Sequence, residues 1–240
     1  MSKVILSQPW GGLGDNLQYS TLPRLYTEKN IEFYISTHNT YRNDEIFNFV
    51  WKNNPYVKGI LDLPGNVGAC TSDLPLGTTD NIISYSEIKH GFEGQNRYPE
   101  IYYVPNFIPE LKNKIIVDLT AISIMKQGAG SLYNIDILNN YINQIPDDAL
   151  LVRFNKINIE TLPNKFNSFI EIYSLEDYAD IISSCKEYYC LYSGGNILSA
   201  GLKHRFNLNL KINCFLHGHL SDHRNRGFYV FDNVNYIEIH

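Results

Sequence analysis

The chain has 240 residues, 44% of them hydrophobic and 19% charged, with a formal net charge of −5. This composition supports a sizeable core and excludes wholesale disorder. The acid excess argues against a general nucleic-acid binder, which needs a basic face, and no apolar run approaches the roughly 20 residues that span a bilayer.

The first twelve residues hold one lysine and three consecutive strong apolar residues, Val4 to Leu6. They are too short for a signal-peptide core and read as a first strand. Cys70, Cys185, Cys190 and Cys214 show no CxxC spacing, so reduced core thiols are the simplest reading. These features suit a cytoplasmic protein with at most peripheral membrane contact.

In chain order, "KVILS" is a strand, and a helix is expected from Asp15 to about Lys29, weakened or kinked at Pro23. "IEFYIST" alternates as a second strand. "NDEIFNFVWKN" has helical apolar spacing with Asn43 or Asp44 as cap, and "VKGILDLP" is a third strand. Between Gly65 and Pro109 the pattern gives way to glycine, proline, asparagine and tyrosine. Such a segment is either functional or a surface excursion. Its aromatics from Tyr85 to Tyr103 could include residues that stack on sugars, although packing is the commoner use.

A second series starts at "KNKIIVDLT". A helix over "LYNIDILNNYINQI" has Ser131 as a possible cap. Two strands follow, "DALLVRF" and "SFIEIYS". Ser174 opens the helix "SLEDYADIISSC", with Asp177 three residues on as a near-capping box. "EYYCLYS" is a strand, "GGNILSAGLKHRF" a turn and helix, and "KINCFL" the last clear strand. The expected fold is α/β, with two Rossmann-like parallel-sheet domains over 1–109 and 110–240.

Each half contains a glycine turn between a strand and a helix. The first, Gly11-Gly12-Leu13-Gly14-Asp15-Asn16, is neither a P-loop nor a dinucleotide fingerprint, since Leu17 stands at the third glycine position. It either caps its helix with Asp15 or presents that carboxylate. In the second, Ser193, Gly194, Gly195 and Asn196 offer backbone N–H groups that could hold a diphosphate without a metal, or form an ordinary capped turn.

"GGLGDNLQYSTLPRL" resembles the N-terminal motif of the heptosyltransferase-like glycosyltransferases (family 9), with Gly14-Asp15 and a proline, Pro23, eight positions after the Asp. "NPYVKGIL" resembles the family's Asn-Pro segment before the third strand. "YSLEDYADIISSCKEYYCLYSGGNILSAGL" is similar to its second-domain pattern. The resemblance implies a GT-B fold with two domains facing a central cleft. It further implies inverting, metal-independent transfer from a nucleotide sugar, with no cofactor, to a glycan or lipid-linked saccharide acceptor. By resemblance Asp15 is the general base, flanked by Gly11, Gly12, Gly14 and Asn16 on the acceptor side. Lys126 and Ser193 to Asn196 fall on the donor side, and Lys126 reads equally as a solvated loop lysine. Two positions depart from the family: Tyr192 replaces an Asp and Ile197 replaces a His. A non-catalytic binding or assembly protein on the same scaffold is therefore the alternative. The Gly-Gly-Leu-Gly turn also resembles that of α-1,2-fucosyltransferases, without their later arginine motif.

His217, His219, Asp222 and His223, with Arg224 and Arg226, form a last candidate: a transition-metal site, a phosphate-facing loop or a polar surface loop. No paired DxD motif for a metal-bound sugar nucleotide is present.

Overall fold

In a computed structural model, the described residues are 2–7, 11–38, 43–67, 81–120, 133–155, 165–217 and 230–239. The chain forms two compact units, Met1–Val104 with Asn225–Phe231, and Pro105–Arg224 with Asp232–His240. The sequence reading divided it at 109/110 and contained no return to the first unit.

The first unit carries a parallel sheet of β1 (Lys3–Leu6), β2 (Glu32–Ser36) and β3 (Val57–Leu61), in that order. A bridge from Leu6 to Val67 extends it beyond β1. The single helix expected from Asp15 to Lys29 is instead two, α1 (Leu13–Leu17) and α2 (Leu22–Glu28). Pro23 explains the break. Its ring would clash with the carbonyl four residues back, that of Tyr19. That carbonyl accepts from Leu22 N at 3.1 Å instead, and Pro23 occupies the first turn of α2, where a missing N–H costs nothing. Helix α3 (Asp44–Ile46) is capped by Asn43, whose Oδ1 accepts from Ile46 N at 3.0 Å, and runs on as a π-type turn over Phe47–Lys52.

Helix α4 (Ile82–Lys89) lies within the segment expected to be irregular. Ile82 to Glu87 are all buried, so it has no polar face and no helical stripe in its sequence. Its cap, Asn81, accepts from Ile83 N at 3.1 Å and Ser84 N at 3.2 Å.

The second unit contains a six-stranded, wholly parallel sheet. Its strands are β4 (Ile115–Asp118), β5 (Leu150–Phe154), β6 (Phe169–Ile172), β7 (Glu187–Leu191), β8 (Lys211–His217) and β9 (Asn235–Ile239). The last of these was not read from sequence. The spatial order is β6-β5-β4-β7-β8-β9, that of the dinucleotide-binding Rossmann sheet, and the direction of winding reverses between β4 and β7. Helix α5 (Ile135–Ile142) connects β4 to β5, α6 (Leu175–Ser184) connects β6 to β7, and α7 (Gly194–Phe206) connects β7 to β8. The cap of α5 is Asn134 rather than Ser131, which lies outside the described residues; Asn134 Oδ1 accepts from Ile137 N at 3.2 Å. Ser174 caps α6 as expected, accepting from Asp177 N at 3.0 Å. Val117, Leu119, Leu138, Leu151, Leu191 and Phe215 belong to one buried core. Cys185, Cys190 and Cys214 are buried free thiols, and burial pushes the Cys185 thiol up to about 12.

Candidate functional site

In the first unit, the loop after β1 turns into α1 at Gly12, the residue preceding the helix. Asp15 is thus the third helical residue and not the cap, one of the two readings of the sequence. Its Oδ2 reaches back to accept from Gly12 N at 3.0 Å, the acidic half of a capping box. This bond holds the half-buried carboxylate against the turn.

Asn16 is fully buried and holds the turn from beneath. Its Nδ2 donates to Gly12 O at 2.8 Å, and its Oδ1 accepts from Trp51 Nε1 at 2.8 Å. Gly11, Gly12 and Gly14 are each partly exposed. Of the aromatics considered as sugar platforms, Tyr98 stacks on Phe231 at 5.8 Å and Tyr103 packs on Phe49 at 5.6 Å. Tyr85 is buried, Phe92 packs on Tyr26 at 4.9 Å, and the Tyr102 hydroxyl donates to Glu100 at 2.6 Å, so contacts within the unit engage all five.

In the second unit, the reversal of strand order puts the ends of β4 and β7 side by side. In open α/β sheets this is where ligands bind. Beyond β7 lies the small-residue turn. Ser193 caps α7, its Oγ accepting from Gly195 N at 3.3 Å, and Asn196 N donates to Ser193 O at 3.1 Å. Ser193 and Gly194 are partly exposed. Gly195 and Asn196 are buried, and Asn196 Oδ1 accepts from Tyr236 Oη on β9 at 3.2 Å. The Asn196 side chain therefore ties the turn to the sheet.

The end of β4 holds a group that the sequence reading missed. Asp118 is buried, and its Oδ1 accepts from Thr120 N at 2.9 Å and from the Thr120 hydroxyl. Its Oδ2 accepts from the hydroxyls of Tyr178 on α6 and Tyr188 on β7, the latter at 3.3 Å. The two tyrosine hydroxyls also bond to each other. Burial pushes the Asp118 carboxyl above the usual carboxylate range, although its hydrogen-bond donors oppose the shift. An aspartate closing the apolar strand Ile115-Ile116-Val117 was the only local signal.

Lys126, His219 and Arg224 lie outside the described residues, and of His217 only the backbone, at the end of β8, is described. Among the described residues no group of three or more His, Cys, Asp or Glu side chains is arranged to hold a metal.

No protein-family model matches the chain, and no curated protein matches its sequence. Solved structures do match. TibC of enterotoxigenic E. coli H10407, described as an iron-containing dodecameric glycosyltransferase, aligns with a TM-score of 0.61 and 11% identity over 96% of this chain and 63% of TibC. E. coli ADP-heptose LPS heptosyltransferase II aligns with a TM-score of 0.59 and 10% identity over 99% of this chain and 90% of the enzyme.

The chain has the heptosyltransferase fold. It spans slightly less than two thirds of TibC, and a second TibC structure, at TM-score 0.59, is described in complex with ADP-D-β-D-heptose. Within the heptosyltransferase fold as it occurs here, the two residues that depart from the family motif face inward. Tyr192 is 9% exposed and Ile197 2% exposed. No helix among the described residues is long and apolar enough to cross a membrane.

Proposed function

We propose that the protein is an inverting, metal-independent glycosyltransferase that moves a sugar from a nucleotide sugar to a glycan or lipid-linked saccharide. The observation that carries this reading is the Ser193–Gly195 turn at the point where the second unit's strand order reverses. A helix N-terminus of small residues there suits a diphosphate, because its amides point at the anion and charge-assisted bonds outcompete the long Ser193 cap.

Asp15 is the general base. An alcohol has a pKa far above neutrality and needs an acceptor for its proton as its oxygen attacks. The carboxylate takes that proton while the acceptor oxygen bonds to the anomeric carbon. The bond from that carbon to the diphosphate breaks on the opposite face, and the diphosphate leaves with the electron pair. A single displacement inverts the centre. Amides at the turn stabilise the negative charge that develops on the leaving group. ADP-heptose, the ligand of the TibC complex, sets the first donor to try.

A second reading, a binding or assembly protein without turnover, is favoured by the burial of Tyr192 and Ile197. Thermal stabilisation by a panel of nucleotide sugars and nucleoside diphosphates tests the donor site, and its complete absence would sink it. Hydrolysis or transfer from any bound nucleotide sugar separates the enzyme from the binding protein.

A further inference from the structure

The buried polar cluster at the end of β4 is placed against the backbone of the turn just assigned to the donor. At Gly195 a Cβ would lie 2.3 Å from Tyr178 Oη, 2.6 Å from Tyr188 Oη and 3.4 Å from Asp118 Oδ2. The Gly195 main chain therefore rests directly on the hydroxyl pair, and only glycine permits that approach. Four elements converge here: the chain after β4 through Thr120, α6 through Tyr178, β7 through Tyr188 and α7 through Gly195.

We propose that Asp118, acting through the Tyr178 and Tyr188 hydroxyls, is a positioning residue that fixes the Gly194–Gly195 amides for a nucleoside diphosphate. This inference rests on the donor reading of the turn. Both Asp118 oxygens are engaged: Oδ1 holds the Thr120 backbone and hydroxyl, and Oδ2 holds the tyrosines. The two sides of the strand reversal are thereby joined by one carboxyl group. A hydroxyl can rotate and slide along a flat wall. Two hydroxyls bonded to each other and to one buried carboxyl cannot do so without leaving that group unsatisfied. The floor under the turn is rigid for this reason, and donors held in place beforehand bind an anion without a further ordering cost. Phe154 packs edge-on against the Tyr178 ring at 5.2 Å and fixes its other side.

The test uses the full chain and isothermal titration with ADP, UDP, GDP and CDP, following whichever binds the unmodified protein. Tyr178→Phe keeps the ring and removes one donor to Asp118. It should raise Kd about three- to tenfold. Asp118→Ala should raise it further, and Asp118→Asn, which keeps the shape and one of the two acceptor oxygens, should raise it less than Asp118→Ala. Leu138→Ala in the core of the same unit serves as a stability control: it should lower the melting temperature without raising Kd. If Asp118→Ala fails to fold, Tyr178→Phe decides. Diphosphate binding by folded Tyr178→Phe that equals the unmodified protein, or a loss matched by Leu138→Ala, overturns the positioning role and leaves the donor site standing. Failure of the unmodified protein to bind any of the four overturns the donor reading, and the positioning role falls with it.

Discussion

Gly195→Ala puts two opposing effects in competition. In a helix, alanine is favoured over glycine by about 0.8–1 kcal/mol, so propensity alone makes the substitution stabilising. The structure opposes this. The new methyl would lie 2.3 Å and 2.6 Å from the Tyr178 and Tyr188 hydroxyl oxygens, well inside van der Waals contact. Neither hydroxyl is the end of a flexible chain, because both are bonded to buried Asp118. Overpacking of this kind costs about 1–3 kcal/mol. Displacing a hydroxyl from the buried carboxyl adds about 1–3 kcal/mol for a group left unsatisfied. After the propensity gain, the net loss is about 1–5 kcal/mol. Urea unfolding followed by far-ultraviolet circular dichroism measures it. A Gly195→Ala protein as stable as the unmodified chain would refute the close approach.

Other substitutions probe the first unit. Asp15→Asn keeps an oxygen that can accept from Gly12 N, so its melting temperature and diphosphate binding should hold while transfer falls about 10²–10⁴-fold; undiminished turnover removes Asp15 from the base role. Trp51→Phe strips the indole donor from buried Asn16 and leaves a small void, at a cost of about 2–4 kcal/mol in chemical denaturation. An unchanged urea midpoint there would contradict the Asn16 brace. Glu87 is 1% exposed, and burial raises its carboxyl pKa despite bonds from Asn96. The folded chain then holds a proton that the unfolded chain has lost just above the ordinary carboxylate range, so stability falls as pH rises through that window. Glu87→Gln should flatten that decline above the ordinary carboxylate range, and an unaltered slope would place its origin elsewhere.

All the strands but β9, and most helices, were legible because each carries a local signature. β-branched alternation marks β2, Asn43 marks α3, and the Ser174–Asp177 pair marks α6. What escaped reading lacked one. Residues Ile82 to Glu87 of α4 are buried on every side, so the periodic stripe that reveals a helix is missing and only Asn81 announces it. The break between α1 and α2 depends on where Pro23 falls relative to the Tyr19 carbonyl, and a proline alone gives a kink as readily as a restart. At the candidate site, the two glycine turns were visible as turns, but the network beneath one of them was not. Asp118 lies 60 residues before Tyr178 and meets Tyr178, Tyr188 and Gly195 only when four elements pack. Asn196 shows the converse: it read as part of a binding turn, and its side chain serves β9, a strand that was not read.

The donor site is tested most directly by backbone amide resonances of the full ¹⁵N-labelled chain during titration with ADP-heptose and with free nucleoside diphosphates. Gly194 and Gly195 should show the largest shifts, saturating with the same Kd as calorimetry. Unmoved resonances for the Ser193–Gly195 turn at millimolar concentrations of every donor tried would contradict a diphosphate site there.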